Sequence, residues 1–358
     1  MAELFGTSLN KTEILERVGD IAQLCDARKM TCTEGRSTGV QSIEVKTGSG
    51  LSFTVLPSRG LDISRASYNG IPLAWQSAIG ETSPFSYQPE NYEWLRSFFG
   101  GLLTTCGMTY SAHPCEDNDE QLGLHGRVSN IPAEDVNVNK TWDGDEYLIT
   151  ICGRVRETKV FGDNLILERK IETSLGSRKI QISDSIENVG FRESPLMMLY
   201  HINIGWPVVS HLSRLVAPVL HTKFLDGNAR REPDQWDKLI SPQKDYAERV
   251  YLHELAPASD GMVNLALVNE EKNIGVRLSY LKNEFPYFIE WKMMGQGEYV
   301  VGIEPGNITG HRAHMRKEGT LEFIKPGEKR NFTLEIGVID EKKSIKKVVG
   351  QIKSVKLS

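Results

Sequence analysis

Val300-Val301-Gly302-Ile303-Glu304-Pro305-Gly306-Asn307 sets one acidic side chain at the end of an apolar run, against a Pro-Gly turn. The run before it, Ile289-Glu290-Trp291-Lys292-Met293-Met294, is strand-like too, and Gly295-Gln296-Gly297 lies between them. The pattern predicts a β-hairpin whose second strand carries a carboxylate to its own end. A carboxylate in apolar surroundings has its pKa raised toward the range where a general base works near neutral pH. Taken alone, Glu304 reads more readily as a strand-end residue facing water. Two histidine-bearing strands far upstream give it chemical company: Leu122-Gly123-Leu124-His125-Gly126-Arg127 and Met198-Leu199-Tyr200-His201-Ile202-Asn203.

Outward from the hairpin, the chain reads as β. Ser42–Thr47 and Leu51–Leu56 alternate around a Gly-Ser-Gly turn, and Leu165–Thr173 faces Lys179–Ile186. Tyr147–Ile151, Met262–Val268, Gly275–Tyr280 and Phe332–Val338 have the same character. Short alternating runs divided by Gly, Asn, Asp and Pro predict an all-β protein, a large antiparallel β-sandwich with short terminal helices. No composition change marks a linker, so residues 1–358 are expected to form a single domain. A helical segment is expected over about 10–28, with Ile14, Leu15, Val18, Ile21 and Leu24 on one face and Asn10 or Thr12 as cap. A basic amphipathic helix is expected over about 341–356, packed on the body through Ile345, Val348, Val349, Ile352 and Val355. Two long irregular stretches, 77–103 and 226–247, are where a β scaffold tends to hold binding residues.

A net charge of −5 provides no basic footprint for nucleic acid. No apolar run approaches the roughly 20 residues of a membrane helix, and the first residues lack the order of a signal peptide. Five cysteines without ligand spacing read as reduced thiols of a cytoplasmic protein. Neither a zinc site nor any other cofactor is called for.

Several side chains are candidates for a site. Arg59 and Asp62 follow a strand in Leu56-Pro57-Ser58-Arg59-Gly60-Leu61-Asp62-Ile63. They read either as an internal ion pair or as a ligand-binding fork of donors. His125 stands between glycines that allow close backbone approach, with Arg127 next to it. His201 lies in an apolar run, and Asn203 falls on the same strand face. His311 and His314 could ligate a metal only with a third ligand. His113, His211, His221 and His253 have no motif around them and read as structural. Trp75, Trp94, Trp206, Trp236 and Trp291 form a set from which one or two would suit a sugar's apolar face. Trp291 and its neighbour Lys292 join the candidate substrate contacts.

The elements Arg59-Gly60-Leu61-Asp62-Ile63, Gly101-Leu102-Leu103-Thr104-Thr105-Cys106-Gly107, Leu124-His125-Gly126-Arg127, His201-Ile202-Asn203-Ile204-Gly205 and Gly302-Ile303-Glu304-Pro305 together resemble the galactose-mutarotase-like superfamily. Within it, the likeness is to the aldose 1-epimerase-like branch of the DUF4432 type, from about Gly35 to Asp340. The resemblance implies a mutarotase-like supersandwich. It further implies a sugar-binding role for His125, a general acid in His201 and a general base in Glu304. The Asn-Arg pair that the family carries before its first histidine is absent, and Cys106-Gly107-Met108 stands near that place. The family's substrate-binding aspartate has no clear match, and Asp226 corresponds by position only. The implied reaction interconverts the α and β anomers of an aldose, with a small-molecule carbohydrate as the only partner; monomer and homodimer both remain open. Two alternatives stand beside it: a non-catalytic sugar-binding or sugar-sensing protein, and an epimerase or lyase of a sugar acid or phosphate gripped by Arg59 and Arg127.

Overall fold

A computed structural model describes residues 1–231 and 233–357. Strands dominate, and three antiparallel sheets hold most of them. An eight-stranded sheet runs in the order Glu134–Asp143, Glu146–Thr158, Asn164–Ser174, Lys179–Asn188, Lys329–Asp340, Ile274–Leu281, Met262–Asn269, Ser213–Val216. A six-stranded sheet runs Val219–Phe224, Arg249–Leu255, Tyr287–Gly295, Glu298–Gly306, Met197–Gly205, Thr104–Met108. A five-stranded sheet joins Asp26–Thr31, Gln41–Lys46, Leu51–Leu56, Asp62–Tyr68 and Ile71–Pro72.

Period-two alternation decides which faces meet. Along Lys179–Asn188, every second residue from Ile180 is buried. Ile180, Ile182 and Ile186 therefore enter the same core cluster as Ile149, Leu167, Leu334, Ile202 and Ile303. The eight- and six-stranded sheets close on one another there: the Tyr200 and Phe332 rings lie 6.2 Å apart. Each buried aliphatic side chain contributes roughly 1.5–3 kcal/mol of transfer free energy.

The same alternation turns charged residues inward, where they form one network. Arg169 donates Nε and Nη2 to Asp184, and Nη1 to Asp62 at 3.0 Å. Tyr200 donates its hydroxyl to Asp184, while Thr105 donates both its backbone N–H and its hydroxyl to Asp62. Burial pushes Asp62 up to about 6 despite the Arg169 charge beside it. Removing one member of such a network leaves an uncompensated buried charge, a cost of about 3–5 kcal/mol.

The N-terminal helix is shorter than the sequence pattern predicts. It spans Lys11–Leu15, with Asn10 and Glu13 forming a reciprocal cap. A 3-10 turn follows at Ile21–Gln23, and Asp26 already begins a strand. Gly19 interrupts the run, and an edge position on the five-stranded sheet claims residues 26–28. The C-terminal helix spans Lys342–Lys353 and buries Ile345, Val349 and Ile352 against Val216, Ala266, Val268 and Ile339. Among the described residues, no helix is long and apolar enough to cross a membrane.

Candidate active site

The six-stranded sheet presents its outer face to a cavity of about 340 Å³. The register that pairs Leu199 with Gly306 and Ile202 with Ile303 sets His201 opposite Glu304. On the other side of the Glu304 strand, Ile289 pairs with Glu304 and Trp291 with Gly302. His201 and Glu304 thus become cross-strand neighbours on one face, the closest arrangement that two strands offer. The inward neighbour of His201 is Tyr200, whose hydroxyl bond to Asp184 anchors this strand to the opposing sheet.

Gly302 makes room for the acid. A Cβ at this position would stand 2.1 Å from Glu304 Oε1, so the carboxylate folds back along its own strand over the glycine. There it lies with Oε1 3.3 Å from His201 Nδ1. Glu304 is 2% exposed and His201 5%. The contact is a close approach rather than an aligned hydrogen bond, since among the described residues neither Glu304 Oε1 nor His201 Nδ1 has a hydrogen-bond partner. Burial raises Glu304 well above the usual carboxylate range, with a further rise from the Glu248 charge. Burial also depresses His201 to about 3, opposed only in part by Asn203. Burial therefore disfavours the charged form of each group.

Loops complete the walls. His125 adopts a left-handed backbone (φ 58°) held by bonds from its N–H to Ala112 and from the Gly107 N–H to its carbonyl. Strain of this kind in a non-glycine residue is concentrated at ligand sites. Its ring lies 5.6 Å from that of His201, and its Nδ1 is buried without a partner. Phe98 and Trp291 flank His201 at 5.3 and 5.4 Å between ring centroids, and Trp291 donates its indole N–H to Glu248 at 2.8 Å. A second depression of about 1300 Å³ lies by the N-terminus and the C-terminal helix. Its wall carries the Arg178–Asp340 and Lys179–Glu335 pairs and no unpartnered buried polar side chain among the described residues.

Of the residues singled out in the sequence, His125, His201, Trp291 and Glu304 line the cavity, and Arg59, Asp62, Arg127, Asn203, Asp226 and Lys292 do not. Arg59 is buried beneath the loops, where its guanidinium donates to the carbonyls of Ser129, Thr82 and Ser97. Asp62 pairs with Arg169 rather than serving a ligand. Arg127 lies over the Tyr110 ring at 4.9 Å. Asn203, fully buried beside His201, donates to the carbonyls of Gly101 and His201. Asp226 accepts the backbone N–H groups of Asn228, Ala229 and Val250, which makes it a loop brace. Lys292 points to the opposite sheet face from Trp291, toward the carbonyls of Gln235 and Lys238, as strand alternation requires.

His113, read from the sequence as structural, and Glu248, which carried no sequence signal, also line the cavity, beside His311 and His314. His311 caps the helix Arg312–Glu318, its Nδ1 accepting the His314 N–H. Among the described residues, no group of three or more His, Cys, Asp or Glu is placed to hold a metal. Of the tryptophan set, Trp94 and Trp291 are the two members that line the cavity.

A family model described as "Domain of unknown function (DUF4432)" matches residues 37–338. The chain belongs to this DUF4432 family. Among solved structures, one similar to this chain is a Klebsiella pneumoniae protein described as a "putative aldose 1-epimerase". The two share 23% identity over 94% of this chain and 90% of that one, with a TM-score of 0.88. A galactose mutarotase-like protein from Clostridium acetobutylicum is 15% identical over 89% and 100%, with a TM-score of 0.59. Galactose 1-epimerase from Lactobacillus acidophilus is 11% identical over 88% and 99%, with a TM-score of 0.58. At such identities, the likeness establishes a galactose mutarotase-like fold for this family member. Comparison with curated proteins finds no match.

Proposed function

We propose that this protein is an isomerase that interconverts the anomers of an aldose by general acid–base catalysis at Glu304 and His201. The observation that carries the reading is their 3.3 Å approach on adjacent strands, buried on a cavity floor with neither atom committed to a protein hydrogen bond. Anomerisation needs that spacing, because the two oxygens it acts on, O1 and the ring oxygen O5, share one carbon. Sugar hydroxyls entering the cavity stabilise the charged form of the pair. Glu304 then takes the O1 proton as His201 protonates O5; the C1–O5 bond breaks and C1=O1 forms. Rotation about C1–C2 presents the other face, and closure reverses both transfers. Neither a covalent intermediate nor a cofactor is required. The apolar C–H face of the ring packs on Trp291 and Phe98. Five unpaired thiols suit a reducing cytoplasm.

Among the described residues, no arginine or lysine lines the cavity. This weighs against the sugar-acid and sugar-phosphate alternative, which relied on Arg59 and Arg127. The test is polarimetry or saturation-transfer NMR on freshly dissolved aldoses. Glu304→Gln is expected to lower anomer interconversion by roughly a hundredfold or more while sugar binding survives. Undiminished catalysis in that variant would refute the assignment, and binding without any acceleration by the wild type would favour a sugar-sensing role.

A further inference from the structure

Trp94 belongs to a 3-10 turn, Glu93–Ser97, laid across the cavity beside His125. Its ring stacks on Phe98 at 4.6 Å and lies 4.9 Å from His125. The side chain is 2% exposed, yet among the described residues its indole Nε1 has no acceptor. Buried indole N–H groups almost always find one. The Ser111 hydroxyl is also unpartnered among the described residues, but it stands outside the cavity wall. Trp94 thus lines the cavity while carrying a donor left unpaired among the described residues.

Its place along the floor gives the direction. Glu304 Oε1 is 3.3 Å from His201 Nδ1, the His201 ring is 5.6 Å from His125, and His125 is 4.9 Å from Trp94. With O1 at Glu304 and O5 at His201, the orientation proposed above, the next atom along the ring from O5 is C5 and its exocyclic substituent. We propose that the Trp94 indole N–H, together with His125, hydrogen-bonds the oxygen carried on C6, so that the site selects hexopyranoses oxygenated at C6 over 6-deoxyhexoses and pentoses. This rests on the anomerase reading of the site. An indole N–H only donates, so an acceptor oxygen suits it and a methyl group or hydrogen leaves it unpaired, the situation in which a site rejects an analogue most strongly.

The experiment titrates nitrogen-15-labelled protein with D-glucose, D-galactose and their 6-deoxy counterparts, following the indole N–H resonances. The Trp94 resonance is identified by its loss in Trp94→Phe or, should that variant not fold, through its contacts with Phe98. The expected result is a large shift of this resonance with the parent hexose that binds and little shift with its 6-deoxy partner. Alongside it, kcat/KM for the 6-deoxy sugar should fall by about tenfold in the wild type, and by much less in Trp94→Phe. If the Trp291 resonance moves and mutarotation proceeds while the Trp94 resonance stays fixed, this inference is overturned and the anomerase reading stands. If none of the four sugars moves any resonance or is accelerated, both readings fail.

Discussion

Gly302→Ala separates the geometry of the site from its chemistry, because it removes none of the proposed catalytic groups. The new Cβ would fall 2.1 Å from Glu304 Oε1 and 3.1 Å from the Trp291 Cβ. Gly302 sits in a regular strand between paired neighbours, so its backbone accepts alanine, and the main clash is with the far end of a flexible side chain. Folding stability should therefore change little. The carboxylate, however, must retreat by about 1 Å to reach ordinary contact distance, and a displacement of that size costs on the order of a hundredfold in rate. The loss should appear in kcat rather than KM, since the aromatic walls remain intact. Polarimetry with the best aldose, alongside a thermal melt, reads both quantities. A Gly302→Ala enzyme with unchanged melting and unchanged kcat would refute the placement of the base at Glu304.

Four other outcomes follow from the same structure. Glu304→Gln should melt higher than the wild type at pH 8 and no higher near pH 4. The unfolded carboxyl ionises above about 4.5 while the folded one resists to higher pH, so stability is lost as pH rises through that window, by on the order of 1 kcal/mol or more; matching melts at pH 8 would contradict the buried, unpartnered carboxyl. His201 acts in the opposite direction: its folded value of about 3 lies below the ordinary 6.5. Stability is therefore lost as pH falls from 6.5 toward 3, and His201→Asn should flatten that part of a denaturation-versus-pH curve. Arg169→Met should cost about 3–5 kcal/mol in denaturant unfolding by leaving Asp62 and Asp184 buried without their cation. By contrast, Arg59→Lys should weaken folding rather than sugar affinity, and a selective rise in KM would return Arg59 to the site.

Much of the architecture was legible in the residue pattern because a strand has a period of two. The alternation in Lys179–Asn188 and the Gly295-Gln296-Gly297 hairpin determines strands, turns and which side chains share a face. That His201 and Asn203 share a face opposite to Tyr200 follows from the same period, as does the apolar setting of Glu304. The resemblance in motifs added that His125, His201 and Glu304 belong together. Tertiary structure decided what strand period cannot carry. Which arginine neutralises Asp62 depends on the pairing of two sheets: Arg169 is more than a hundred positions away, while Arg59, three positions away, is taken up by loop carbonyls. The cavity walls depend on how the 92–98, 112–125 and 308–314 loops descend on the sheet. For that reason His113 and Glu248 carried no local signal. Local sequence encodes backbone period and polarity, whereas the identity of a partner across a core or a cavity is a property of long-range register and loop closure. Those are determined only when the whole chain buries its apolar faces at once.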